Sequence, residues 1–124
     1  ILVNQQVDIF FPAPFMPKFE RNRNIGPIFE LRLYKYPPGT IPLVIDACSK
    51  KIESRMTLCP PVGIWYSELG GVNQWAHMWA YESFEHRIEA RKQFQSIGWP
   101  PDSSVSPVSM QNMIMLAAKF SPIQ

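Results

Sequence analysis

Glu30, Arg32, Tyr34, Trp75, His77 and Trp79 are the residues best suited by type and spacing to form a chemical site. The first three alternate with Phe29, Leu31 and Leu33, and Trp75, His77, Trp79 and Tyr81 alternate with Gln74, Ala76, Met78 and Ala80. A period of two places each set on one side of a strand. A carboxylate, a guanidinium, a phenol, an imidazole and two indoles on neighbouring faces have the character of a ligand pocket: apolar walls with a few convergent polar groups. Each also has a structural reading. Glu30 and Arg32 are close enough to pair, since an unpartnered buried charge is costly. His77 could be a base, a haem or metal ligand, or a hydrogen-bonded core residue, and the core reading is preferred. Glu68 could accept a proton, or accept hydrogen bonds from Asn73 and the adjoining hairpin backbone. Arg87 and Arg91, four apart on a helix, repel slightly and call for carboxylate partners such as Glu68 or Glu82, with solvation as the plain alternative. Glu68, Asn73, Arg87 and Arg91 are therefore grouped as a structural polar network. His86 and the two cysteines fall on different elements, so no metal-ligand spacing is present. Nor is there a Ser/His/Asp order, a glycine-rich phosphate loop or a CxxC. No catalytic residue, metal or cofactor is assigned.

Composition narrows the setting. A formal charge of +2 and only a loose basic patch from Lys18 to Arg23 give no footprint for nucleic acid. No apolar run approaches the roughly 18 to 20 residues that cross a bilayer. With 124 residues, 46% of them hydrophobic, the chain has the size and apolar content of one ordinary domain. It opens on Ile1 rather than Met, so the true N-terminus, with any targeting peptide, is expected to lie outside it, and localisation is not read from this end.

The elements that must position these residues are punctuated by prolines, thirteen in all, with Pro-Pro pairs at Pro37, Pro60 and Pro100. Ile28 to Tyr36 alternates as a strand. Ile41, Ile45, Cys48, Ile52, Met56 and Cys59 recur at helical spacing, so one amphipathic helix is expected, started by Thr40 and Pro42. Along such a helix the cysteines stand about 16 Å apart, beyond disulfide reach, and are expected as buried thiols. Val62 to Leu69 and Gln74 to Tyr81 read as strands joined by a hairpin through Gly70 and Gly71. Ser83 caps a second helix running to about Ile97, and Gln111 to Phe120 reads as a buried strand. The order is β-α-β-β-α-β, an α+β ferredoxin-like unit with both helices on one face of an antiparallel sheet. The alanines of Gln74 to Tyr81 suit close helix packing, so the aromatic row is expected to turn away from the helices, toward an opposing sheet.

One segment lies before that unit. Shifting Gln6 to Pro17 by 105 residues onto Gln111 to Pro122 matches five of twelve positions. Residues 1–17 are accordingly expected to be the last strand of a preceding copy of the domain, added to a sheet edge or touching another domain. Residues 18–27 are expected to be a linker and 28–124 the domain proper. An unrelated apolar arm is the alternative.

"FELRLYKYPPGT" (Phe29 to Thr40), "GIWYSELGGVNQWAHMWAYES" (Gly63 to Ser83), Arg87, Arg91 and "QNMIMLAAKFSP" (Gln111 to Pro122) together resemble the NIPSNAP family in order and spacing. Tyr36-Pro37 and Val72 depart modestly from its pattern. The resemblance implies a dimeric α+β barrel, in which two ferredoxin-like units pack sheet to sheet, with tandem domains behind a mitochondrial presequence in many eukaryotic members. It carries no settled enzymatic activity. Two functions follow as expectations. One is a non-catalytic mitochondrial interaction or scaffold protein, with a second NIPSNAP-like domain and a mitochondrial complex as partners. The other, by fold analogy alone, is a small-molecule-binding protein or a cofactor-independent oxygenase- or isomerase-like enzyme using the barrel interior.

Overall fold

The computed structural model describes residues 1–124. Its elements are β1 (Ile9–Pro12), β2 (Ile28–Lys35), α1 (Ile41–Ser49), α2 (Ile52–Met56), β3 (Pro61–Leu69), β4 (Gln74–Tyr81), α3 (Phe84–Gln93) and β5 (Ser109–Leu116). The five strands form one antiparallel sheet in the order β1-β3-β4-β2-β5. Without β1 this is the ferredoxin-like topology, each helix leading back to a strand beyond its neighbour. No helix is long and apolar enough to cross a membrane.

β1 adds to the β3 edge of the sheet, Phe11 opposite Tyr66 and Pro12 opposite Trp65. Asp8, just before it, accepts a 2.5 Å hydrogen bond from the Gly71 amide and so fastens the strand to the β3-β4 turn. That turn needs left-handed backbone at Gly70 and Asn73, which glycine and asparagine tolerate best. Residues 18–27, expected to be a linker, hydrogen-bond to residues 122–124. The amides of Asn22 and Ile25 donate to Pro122 and Gln124, and that of Gln124 donates back to Arg23.

The expected single helix between Thr40 and Cys59 is broken in two. Lys51 leaves helical geometry and its amide donates to Cys48, three residues back instead of the α-helical four, tightening the chain before α2. α3 keeps its expected start. The Ser83 hydroxyl accepts the His86 amide at 3.0 Å, with Glu85 in the first turn and Arg91 and Lys92 in the last. It ends at Gln93, earlier than periodicity suggested, because the chain turns through left-handed Gly98 and returns the Trp99 amide to Phe94. Ser83→Ala is expected to cost about 1 kcal/mol, read as a lowered urea midpoint with an unchanged slope.

The aromatic row faces the helices, correcting the expected orientation. Trp75, Trp79, Tyr81 and Ile64 pack with Ile41, Val44 and Cys48 of α1, Ile52 of α2 and Ala90 of α3 in the main core. The reason is volume. The short helices bury only a few side chains each, with Ala47, Cys48 and Ala90 small among them, so large side chains rise from the strands to fill the layer at interior density. Phe29, Leu31, Leu33, Ala76, Met78 and Ala80 therefore lie on the open face. There, Phe29 and Ala80 bury only a small cluster with Ile123. Both cysteines are buried free thiols, as their spacing indicated.

Candidate functional site

β2 and β4 pair with Glu30 opposite Trp79, Arg32 opposite His77 and Tyr34 opposite Trp75. The six residues singled out by type thus stand abreast on one sheet face, beneath the helices of their own chain and not between two sheets. Register and alternation alone produce this juxtaposition.

Within the row, the roles divide. Glu30 is fully buried, and its partner is Arg87 rather than the nearby Arg32. Arg87 Nε donates to Oε2 at 3.1 Å and Nη2 to Oε1 at 2.8 Å, and Asn112 of β5 adds a third bond at 3.0 Å. Burial pushes the Glu30 carboxyl up, but these hydrogen bonds, with the charges of Arg32 and Arg87, outweigh it and hold it at about 2. The bidentate fork locks α3 onto β2. The grouped polar network does not assemble. Arg87 serves Glu30, Glu68 is exposed, and Asn73 accepts from the Tyr36 and Gly39 amides of the β2-α1 turn. Arg91 is exposed, with its guanidinium carbon 5.9 Å from the centroid of the Phe94 ring.

His77 is buried. Trp79 Nε1 donates to its Nδ1 at 2.5 Å, and the Tyr34 ring meets it edge-on with centroids 5.4 Å apart. Accepting at Nδ1 places the imidazole proton on Nε2. Burial, then the charges of Arg32 and Arg55, push its pKa down to about 3. The ring is a neutral donor, poorly suited to general acid-base work near neutral pH.

Arg55 was not singled out, yet it is 2% exposed. Its guanidinium carbon lies 3.9 Å from the centroid of the Trp79 ring and 4.1 Å from that of Phe94. Nη2 donates to the Tyr81 hydroxyl at 3.2 Å, and Nη1 donates to the Cys59 sulfur. The available signal was spacing: Arg55 follows Ile52 by three and Cys48 by seven, on the apolar stripe of its helix.

Beside this row lies a cavity of about 480 Å³, bounded by β2, β4, α1, α3 and the proline-rich segment 99–107. Arg32, Tyr34, His77 and Arg91 are the polar residues of β2, β4 and α3 in its lining, and Trp75, Phe94 and Trp99 give it apolar walls. Cys48 also lines it, but burial pushes that thiol up to about 12, which disfavours a nucleophilic thiolate. No three His, Cys, Asp or Glu side chains converge as a metal site would need. The arrangement is suited to binding, with no nucleophile poised beside a base.

Related proteins share this framework. In the solved structures, a NIPSNAP family protein of Agrobacterium tumefaciens superposes with a TM-score of 0.67 at 28% identity, over 77% of this chain and 96% of that one. An uncharacterized NIPSNAP-like domain protein of Burkholderia xenovorans gives 0.65 at 28% identity, over 77% of this chain and 88% of the other. In sequence, the Dictyostelium discoideum Protein NipSnap homolog is 35% identical over 82 residues, covering 65% of this chain and 37% of the relative. The human Protein NipSnap homolog 3A is 34% identical over 130 aligned positions, covering all of this chain and 52% of the relative. The chain thus spans about half or less of the length of these relatives. The NIPSNAP family profile matches residues 29–122, from the strand that carries Glu30 to the end of the segment that follows β5. With sequence, topology and solved relatives agreeing, this chain belongs to the NIPSNAP family.

Proposed function

We propose that the protein is a non-catalytic interaction domain whose open sheet face pairs with a second NIPSNAP-like domain, completing an α+β barrel that acts as a scaffold in mitochondria. The observation that carries this reading is the open face itself. Leu31, Leu33, Trp65 and Met78 are only partly covered there, and Met113 is 36% exposed. An apolar hollow of about 390 Å³, lined by Phe29, Val62, Met78 and Met115 among others, opens on the same side, with Phe120, 91% exposed, in its lining. Continuous apolar surface of this kind marks an interface. The second domain is another copy of this chain or the preceding repeat to which residues 1–17 would belong. The mitochondrial setting rests on the family resemblance alone.

Sedimentation equilibrium tests the pairing. The 124-residue chain is expected to sediment as two copies, and Met78→Glu, which sets a carboxylate in the middle of the face, as one copy with its fold intact by circular dichroism. A wild-type chain that stays monomeric at high micromolar concentration, and that stays unpaired when a second NIPSNAP-like domain is supplied, would overturn the reading.

A further inference from the structure

The cavity between the sheet and the helices is a separate matter, on the opposite side of the sheet from the proposed interface. Its polar inventory is lopsided. Arg32 and Arg91 line it, and neither has a carboxylate within 4.0 Å: the three ion pairs of the protein are Lys50 with Asp46, Arg87 with Glu30 and Lys92 with Glu89. Glu30, the nearest buried acid, is already engaged by Arg87 and Asn112. Behind the cavity wall, Arg55 is buried against Phe94 and Trp99 with no acidic partner either. The Nε atoms of Arg32 and Arg55 are buried with no hydrogen-bond partner in the protein. His77, whose Nδ1 is taken by Trp79, has its other nitrogen left as a donor. Against these donors the lining offers one carboxylate, Asp102, on the exposed part of segment 99–107.

Two guanidiniums line the cavity, half-buried Arg32 and exposed Arg91, and neither has a counter-charge; the cost of an unpaired charge falls mainly on Arg32, which is the more removed from water. Guanidinium forks match carboxylates in geometry. The rest of the lining is apolar and aromatic, notably Val44, Trp75, Phe94 and Trp99, and a cavity of about 480 Å³ falls in the range that accepts a small organic molecule. A bare inorganic anion would leave that apolar wall unused. We propose that this cavity binds a small organic carboxylate with an apolar body, its head group toward Arg32 and Arg91 and its body against Phe94 and Trp99.

Titration of the chain with octanoate and 4-phenylbutyrate tests this, with octanamide as the neutral isostere and inorganic phosphate as the bare anion. Binding is read by calorimetry and by the fluorescence of Trp75 and Trp99, which line the cavity. At least one carboxylate is expected to bind about tenfold or more tightly than octanamide, and more tightly than phosphate. Arg32→Gln is expected to weaken carboxylate binding about ten- to a hundred-fold while leaving octanamide unchanged. Asp102→Asn, which removes the opposing carboxylate, is expected to strengthen it. Should Arg32→Gln fold poorly, Arg91→Gln replaces it, since the Arg91 side chain is exposed and in none of the ion pairs. Octanoate and octanamide binding alike, carboxylate affinity unmoved in both arginine variants, phosphate binding best, or no binding of either carboxylate would each overturn the proposal.

Discussion

Lowering the pH from about 6.5 to about 4 is expected to remove on the order of 3 kcal/mol of stability from the chain, with His77 as the source. The ring is held neutral at a pKa of about 3, against an ordinary value of 6.5, by burial and by the charges of Arg32 and Arg55. The unfolded chain therefore binds a proton across a range in which the folded chain does not. Stability is complete above about 6.5 and declines as the pH falls toward about 3. His77→Gln keeps an acceptor for the Trp79 indole but cannot titrate, so most of the slope should vanish in that variant. Urea unfolding at a series of pH values measures it. A wild-type stability that stays flat from neutral pH down to about 4 would show that the imidazole is hydrated or charged in the folded protein.

Replacing Glu30 by Ala is expected to cost about 3 to 5 kcal/mol, because the change leaves Arg87 without its fork and strips Asn112 of its acceptor. Arg87 keeps partial access to water, which places Glu30→Gln lower, at about 2 kcal/mol. The carboxyl is held at about 2, below its ordinary 4.5, so its contribution is complete above about 4.5 and is lost as the pH falls toward 2. The two acid effects separate by window. The His77 slope begins near 6.5, and the Glu30 slope adds to it only below about 4.5. An Arg87→Met, Glu30→Met double variant that recovers most of the loss would identify the pair as a geometric lock more than a source of net stability. A Glu30→Ala chain that unfolds within 1 kcal/mol of wild type would contradict the buried geometry.

Periodicity was enough to read strands β2 to β5 and the Ser83 cap, because these depend on neighbours in sequence. Which way the sheet faces did not follow. Alternation puts Trp75, His77, Trp79 and Tyr81 on one side, but the choice of side was set by packing against α1, α2 and α3, which are distant in sequence. The same limit hid the partner of Glu30. Arg32 is two residues away and points the same way, yet the packing of α3 over β2 brings Arg87 in from 57 residues along the chain. Arg55 was concealed by its own position, a charged residue on an apolar stripe. The third wall of the cavity comes from segment 99–107, whose prolines carry no period from which a contact could be read.

The position of β2 has a consequence for how the chain is made. It lies in the interior of the sheet, yet both of its neighbours come later: Ile28 pairs with Tyr81 of β4 and with Leu116 of β5. During synthesis, therefore, β2 emerges with two bare hydrogen-bonding edges; one stays bare until β4 has been made and the other until β5 has. Closing such long loops before any contact rewards them slows folding. Meanwhile Phe29, Leu31 and Leu33 are available to other chains, a hazard that a nascent-chain chaperone would be expected to shield.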